Sequence, residues 1–349
     1  MINFRSPISD QIGYGIVGFN IFKSMILDHN QNICWFPIGN PTISNQKYVQ
    51  LLQQAVANQD NFETTSQVLT IWHEHSLHER IGKGLNAALS FFEVNSFSKR
   101  IKNSIQAQDK FFVASQWAKN IVNNELPLVD CEVIPMGVDS DFYKPYKLQM
   151  EKPYRFLCVG KTEVRKGHDL LHEMFNQAFN EEDDVELYIA WDNPFLSEAE
   201  KKKWVDMYKN TKLGNKIHFI GRQPDLRTQY IGADCCIFPT RAEAICLPAL
   251  EAMACCKPVI ITNYSGQTEF CNKDNAFLVD IQDLEPANDT IWFHGESQWA
   301  ELGPNQQAQF IEYMRHCYKN RISDNPKGRE TAEKLTWKNT TNKILEVLK

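Results

Sequence analysis

The sequence predicts an α/β fold made of two successive halves, each a parallel sheet covered by helices. Three observations carry that expectation. Short apolar runs alternate with longer stretches of helical period, the pattern of βαβ units. A polar stretch holding two prolines, from Tyr143 to Tyr154, divides the chain near its middle. The length, 349 residues, suits two domains of about 100–200 residues each.

In the first half, Ile33–Pro37, Val68–Trp72, Ala88–Phe92, Lys110–Val113 and Glu132–Pro135 read as strands. Helical patterns fall around Val17–Leu27 and Ser115–Asn123. In the second half, Tyr154–Val159, Val185–Ala190, Ile217–Ile220, Asp234–Phe238, Pro258–Ile261 and Ala276–Val279 read as strands. Helices fit 167–180, 197–209, 247–256 and 305–319, and one amphipathic helix closes the chain over 329–348. The expected division is therefore 1–146, 147–328 and a terminal 329–349. Parallel sheets of this kind hold ligands at the carboxyl ends of their strands, so two of them side by side would enclose one cleft.

Composition narrows the class. Hydrophobic residues at 43% and charged residues at 23% exclude a mostly disordered chain. A net charge of −6 excludes a polycation that coats nucleic acid. No run approaches the ~18–20 apolar residues of a membrane span. The start, Met-Ile-Asn-Phe-Arg, lacks a signal-peptide pattern, which makes the cytoplasm the expected compartment. The ten cysteines form no C-x-x-C pair, and several lie in apolar runs, as buried reduced thiols do.

The strongest motif is Glu243-Ala-Ile-Cys-Leu-Pro-Ala-Leu-Glu251. Its first carboxylate follows a strand, and its second lies one turn into a helix that opens near Leu247. Pro248 suits the first turn, where its missing N–H costs nothing. The N–H groups of Ile245, Cys246 and Leu247 are then expected to face the loop as an anion site. Carboxylates accept hydrogen bonds from vicinal sugar hydroxyls, so the combination suits a ligand with both phosphate and sugar. Spacing alone also fits a loop carboxylate and a solvated helix residue, and both readings stay open on that evidence.

The surroundings go further. Glu243 and Glu251, followed by Ala-Met-Ala-Cys-Cys-Lys-Pro-Val-Ile, resemble the signature of family 4 glycosyltransferases of the GT-B fold, in which two Rossmann-like domains face each other across a cleft. Asn263–Glu269, Asp274–Val279, Ile217–Arg222 and Tyr230–Thr240 fit the family's neighbouring segments in order. Gly160-Lys161, with Arg165-Lys166-Gly167, resembles the family's diphosphate-binding loop, with Lys161 where Arg is usual. A lysine gives a point charge and no planar fork, and Arg165 stands ready to compensate. Val133–Pro145 resembles the segment joining the domains, and Phe112–Lys119 the serine-bearing turn before it. Ala88–Asn95 resembles the strand end of a subgroup with Glu at the place of Glu93, where many members carry His. Trp337 matches the terminal segment, whose helix is expected to pack back on the first domain.

The resemblance implies a retaining glycosyltransferase that moves a sugar from a UDP- or GDP-sugar to a hydroxyl acceptor without metal or other cofactor. Lys161, Lys166, Arg165, Arg222, Gly15 and residues 245–247 would bind the donor, Glu251 its ribose, and Glu243 its sugar. Glu93, His73 and His75 are the candidates for the acceptor side. The acceptor class stays open among saccharide, lipid-linked glycan, protein and modified DNA. Two further readings remain: a non-catalytic nucleotide-sugar binding module, and a sugar epimerase or phosphorylase of the same shape.

Other signals carry less. Asp139-Ser-Asp141 lies inside a turn, and Glu181–Asp184 suits a solvated loop. Gly13-x-Gly15-x-x-Gly18 matches a dinucleotide fingerprint without the acidic residue about 20 positions on. The small residues at 13–15 suit a close ligand approach or a plain turn. His73 and His75 on one strand would point to opposite faces, against a shared metal. The basic cluster Ser98–Lys102 suits an anionic acceptor or a solvated helix face.

Overall fold

The computed structural model describes residues 1–10, 13–146, 153–191, 193–221, 223 and 225–349. The chain divides into two compact units, Met1–Gly137 with Leu335–Lys349, and Val138–Lys334.

The first unit contains β1 (Ile2–Ser6), α1 (Gly13–Leu27), β2 (Ile33–Pro37), α2 (Gln46–Ala57), β3 (Val68–Ile71), β4 (Asn86–Leu89), α3 (Lys99–Gln106), β5 (Lys110–Val113), α4 (Gln116–Glu125) and β6 (Cys131–Val133). The strands form one parallel sheet in the order β2-β1-β3-β4-β5-β6. The strand β1 has no counterpart in the strands expected from sequence, because Asn3, Arg5 and Ser6 interrupt its apolar pattern. It nevertheless pairs on both sides, and Asn3 and Ser6 are fully buried. Asn3 donates Nδ2 to the Glu63 carbonyl at 3.1 Å, while its Oδ1 and Ser6 Oγ are buried with no hydrogen-bond partner among the described residues. The short strands β3, β4 and β5 are buried on both faces apart from the half-buried Lys110, as central parallel strands are.

The second unit contains β7 (Tyr154–Val159), α5 (His168–Ala178), β8 (Val185–Ala190), α6 (Glu198–Lys209), β9 (Ile217–Ile220), α7 (Arg227–Ile231), β10 (Cys235–Phe238), α8 (Leu247–Ala254), β11 (Val259–Thr262), β12 (Phe277–Val279), β13 (Leu284–Asn288), β14 (His294–Ala300), α9 (Pro304–Lys319) and α10 (Pro326–Lys334). Its parallel sheet has the order β12-β11-β10-β7-β8-β9, with the strand order reversing between β7 and β10. Phe156, Leu187, Ile189, Ile237 and Ile260 fill its core with Phe175 of α5 and Phe310 of α9. The antiparallel hairpin β13–β14 stands apart from that sheet.

The expected single closing helix is two. Thr336 interrupts it, accepting the Asn339 N–H as the cap of a new helix, α11 (Trp337–Val347). Helix α10 stays in the second unit, and α11 belongs to the first. The unit boundary also falls before the expected 146/147. Tyr143 is buried, with its ring 5.9 Å from that of Tyr230. Arg329 of α10 donates to the carbonyls of Ser140, Tyr143 and Ala254 at 2.9, 2.8 and 2.6 Å. These contacts bind residues 138–143 to the second unit, so the polar stretch is not a linker from its first residue. Its residues 147–152 lie outside the described ones.

All ten cysteines are free thiols. Among the described residues no helix is long and apolar enough to cross a membrane.

Candidate functional site

The loop after β7 concentrates charge. Gly160 and Gly167 frame it with φ of +145° and +72°, backbone that favours glycine. A Cβ at Gly167 would stand 2.0 Å from the Pro239 carbonyl oxygen, so the loop and the end of β10 touch backbone to backbone. Between the glycines lie Lys161, Glu163, Arg165 and Lys166. Lys161 Nζ is 2.7 Å from Glu163 Oε1, and Arg165 Nη2 is 3.0 Å from Glu163 Oε2. Arg165 Nη1 reaches Glu243 Oε2 at 3.0 Å and donates to the Ala242 carbonyl at 2.7 Å. Lys166 Nζ closes the set on Glu243 Oε1.

The electrostatics follow from burial against pairing. Burial pushes the Glu163 carboxyl up, but Arg165, Lys161 and Lys166 together hold it at about 2. Burial likewise raises Glu243, and Arg165 and Lys166 pull it below the ordinary carboxylate range. Burial disfavours charge on Lys166, yet Glu243 leaves it above the ordinary lysine value. Both carboxylates are therefore ionised at neutral pH, each in direct ion pairs with two cations.

Glu243 is fixed from behind as well. Its N–H donates to Ser265 Oγ at 2.9 Å, and its carbonyl accepts the Gly266 N–H at 2.8 Å. A Cβ at Gly266 would stand 1.9 Å from the Ala244 carbonyl oxygen. Cys246 forms the cap position of α8, with Pro248 in its first turn. The Leu247 N–H donates to the Ile245 carbonyl at 3.0 Å. It is therefore not available to an anion, which corrects the expectation of three open N–H groups at 245–247.

Glu251 belongs to a different neighbourhood. Its Oε2 accepts the Tyr230 hydroxyl at 2.7 Å, and Tyr143 also bonds it. Burial raises its carboxyl to about 7 despite those two donors. It is a held carboxyl on one face of α8 and not a solvated helix residue.

In the first unit, the glycines pack against their own chain. A Cβ at Gly15 would stand 2.4 Å from Ser9 Cβ, and one at Gly18 would stand 2.2 Å from the Pro7 carbonyl oxygen. The close approach expected for a ligand at Gly15 is thus made by Ser9, while the Gly13 position is open. Tyr14 ties the start of α1 to the end of β4. Its hydroxyl donates to the Phe91 carbonyl at 2.9 Å and accepts the Phe91 N–H at 3.0 Å. Its ring lies 4.4 Å from that of His73 and 5.7 Å from that of Trp72. Burial, then the charges of Glu74 and Glu93, raise the Tyr14 phenol well above its ordinary value. Glu93 is half-buried in the loop after β4.

His73 and His75 do not sit on one strand. The strand β3 ends at Ile71, and residues 74–76 form a 3₁₀ turn. The turn brings the two rings to the same side, 5.3 Å apart and nearly stacked. The ligand-capable atoms of His73, Glu74 and His75 lie within 4.8 Å of one another, which removes the opposite-face argument against a shared ion. The basic cluster opens α3, where Lys102 pairs with Glu125 at 2.7 Å and Arg100 donates to the His75 carbonyl at 3.2 Å.

The structure thus brings Lys161, Arg165, Lys166 and Glu243 together, and separately Tyr14, His73, His75 and Glu93. Arg222 lies outside the described residues. Sequence reasoning missed Glu163, Tyr230 and Ser265 as site residues. The charge order Lys161-x-Glu163-x-Arg165 is a signal that could have pointed to the first, since a carboxylate between two cations suits an ion-paired loop.

Known proteins resemble this chain in sequence and fold. Residues 139–316 match the family described as glycosyl transferases group 1. A mannosylfructose-phosphate synthase of Agrobacterium fabrum is 26% identical over 148 residues, 38% of this chain and 33% of that protein. The matched stretch spans about a third of the length of the curated relatives, 33% and 30%. A solved glycosyltransferase from Rickettsia africae aligns at TM-score 0.69 and 17% identity, covering 99% of this chain and 97% of its own. Anabaena HepE, solved with UDP-glucose, aligns at TM-score 0.70 and 15% identity, covering 99% and 98%. At that identity the structural matches show the fold, which is GT-B. The family match covers half of the chain, the half that carries the charged loop and both glutamates, and the chain belongs to the glycosyl transferases group 1 family.

Proposed function

We propose that this protein is a retaining, family 4 glycosyltransferase that moves a hexosyl group from a nucleoside-diphosphate sugar to a hydroxyl acceptor without a metal ion. The observation that carries this reading is the charged set at the ends of β7 and β10: Glu243 buried between Arg165 and Lys166, with Lys161 beside it at the exposed end of Glu163. UDP is the first donor nucleotide to test, since HepE was solved with UDP-glucose.

In this reading the sugar C1–O bond to phosphate breaks, and a new C1–O bond to the acceptor forms. Positive charge develops on the ring and negative charge on the leaving diphosphate. Lys161 and Lys166 stabilise the diphosphate as it leaves. Glu243, whose orientation is set by Ser265, Arg165 and Lys166, accepts hydrogen bonds from the donor sugar hydroxyls. Glu251 accepts from the ribose hydroxyls. The acceptor proton passes to the leaving phosphate oxygen, which balances charge without a further base. Glu93, His73 and His75 orient the acceptor, for which a saccharide hydroxyl is the first class to test.

The test is thermal stability against UDP, GDP, ADP, CDP and TDP without added metal. Saturation at ~100 times the dissociation constant stabilises by ~2.7 kcal/mol. A shift with one nucleotide, lost in Glu251→Ala and Lys166→Ala, supports the reading. No shift with any of the five overturns it.

A further inference from the structure

Arg165 does not have the character of a phosphate ligand. It is buried, and its guanidinium is engaged by Glu163, Glu243 and the Ala242 carbonyl. Its own carbonyl accepts the Arg241 N–H at 2.7 Å and the Thr240 hydroxyl at 3.3 Å. Side chain and backbone of Arg165 are thus both fastened to the segment that leads from β10 to Glu243. Lys161 differs. Its side chain is 38% exposed, and besides Glu163 it meets the Phe195 ring beyond β8, with Nζ 5.1 Å from the ring centroid. Glu163 stands between the two, with one oxygen on each.

We propose that Glu163 is a positioning residue with two tasks, a counter-anion that parks Lys161 until the donor diphosphate takes it over, and the anchor that holds Arg165 on Glu243. The inference rests on the donor reading above. The division of labour follows from burial. The Arg165 contacts on both carboxylates are shielded, one guanidinium nitrogen on each, so the fork keeps them. The Lys161 contact is at the surface and is a single point charge, so it exchanges at little cost when a stronger anion arrives. Diphosphate binding then swaps one carboxylate partner of Lys161 for phosphate and leaves Arg165 in place. Glu243 keeps its orientation through the exchange.

This predicts opposite effects on binding and turnover from one substitution. Glu163→Gln removes the competitor for Lys161 and half of the Arg165 anchor. Inorganic pyrophosphate and UDP should bind about two- to fivefold tighter, while kcat falls at least about tenfold because Arg165 is held less firmly on Glu243. Arg165→Lys keeps the charge and loses the fork, so kcat falls and pyrophosphate affinity stays within about twofold. A third measurement needs no donor: acylation of Lys161 by a succinimidyl ester, read by peptide mass spectrometry, should be slow in the native protein and faster in Glu163→Gln. Circular dichroism confirms that each variant is folded. Weaker pyrophosphate binding in Glu163→Gln, or an unchanged Lys161 acylation rate, overturns the proposal. Failure of the native protein to bind pyrophosphate or UDP overturns the donor reading instead, and the acylation rates still decide whether Glu163 parks Lys161.

Discussion

The Tyr230 hydroxyl donates to Glu251 Oε2 at 2.7 Å, so Glu251 has a phenol partner before any ligand arrives. With Tyr143 it forms a small polar group inside an apolar neighbourhood, and the carboxyl titrates near neutrality, at about 7.

A pH dependence follows. The folded value lies above the ordinary 4.5, so folding takes up a proton between the two. Stability from this group is fully present below the lower value and declines as pH rises to about 7, by up to about 3 kcal/mol. Thermal unfolding from pH 4.5 to 8 should show the decline, and Glu251→Gln should flatten it. Nucleotide affinity should run the opposite way, rising through pH 7 as the carboxylate forms. The same affinity profile in Glu251→Gln would assign the rise to the phosphate.

Removing Arg165 should destabilise the protein strongly. Arg165→Met leaves Glu163 and the nearby Glu243 buried with a partner lost, a change that costs about 3–5 kcal/mol. Urea unfolding measures it, and a loss under about 1 kcal/mol would contradict the pairing described.

Gly167→Ala should be costly for a different reason. The residue holds φ +72°, and the new methyl carbon would stand 2.0 Å from the Pro239 carbonyl oxygen. Backbone strain of about 1–3 kcal/mol is expected, with weaker pyrophosphate binding because the loop end shifts. Gly13→Ala, with open space around it, serves as the control and should change stability by under about 1 kcal/mol.

Turnover should survive chelation. The loop supplies its own cations, so millimolar EDTA is expected to leave the rate unchanged. Loss of activity on chelation, restored by zinc, with zinc binding by calorimetry that a His73→Ala, His75→Ala double variant lacks, would instead place an ion on the turn at 73–75, whose ligand-capable atoms lie within 4.8 Å.

Much of the second unit was legible because its strands are short, dense apolar runs. Tyr154–Val159, Val185–Ala190 and Ile217–Ile220 fall where the runs begin and end. The strand β1 was not legible, since Asn3 and Ser6 read as surface residues, yet both are fully buried in the sheet. The hairpin β13–β14 was hidden by Pro286, which is tolerated where a strand has a free edge. In the site, Glu243, Glu251 and Lys166 were visible through motif spacing. Their partners were not, because Ser265 and Tyr230 reach them across 22 and 21 residues of sequence. The opposite-face argument for His73 and His75 failed because β3 stops one residue before Trp72 and the chain turns.

The first unit holds both ends of the described chain: β1 begins at Ile2, and α11 arrives after the second unit is complete. Gly137 meets the Trp337 backbone so closely that a Cβ there would stand 2.3 Å from its nitrogen. A ribosome that has made residues 1–137 has therefore not yet made a finished domain. The early-synthesised sheet must wait, with the surface that α11 covers still bare, until nearly 200 further residues have emerged. The second unit, continuous in sequence, can fold first although it is made later.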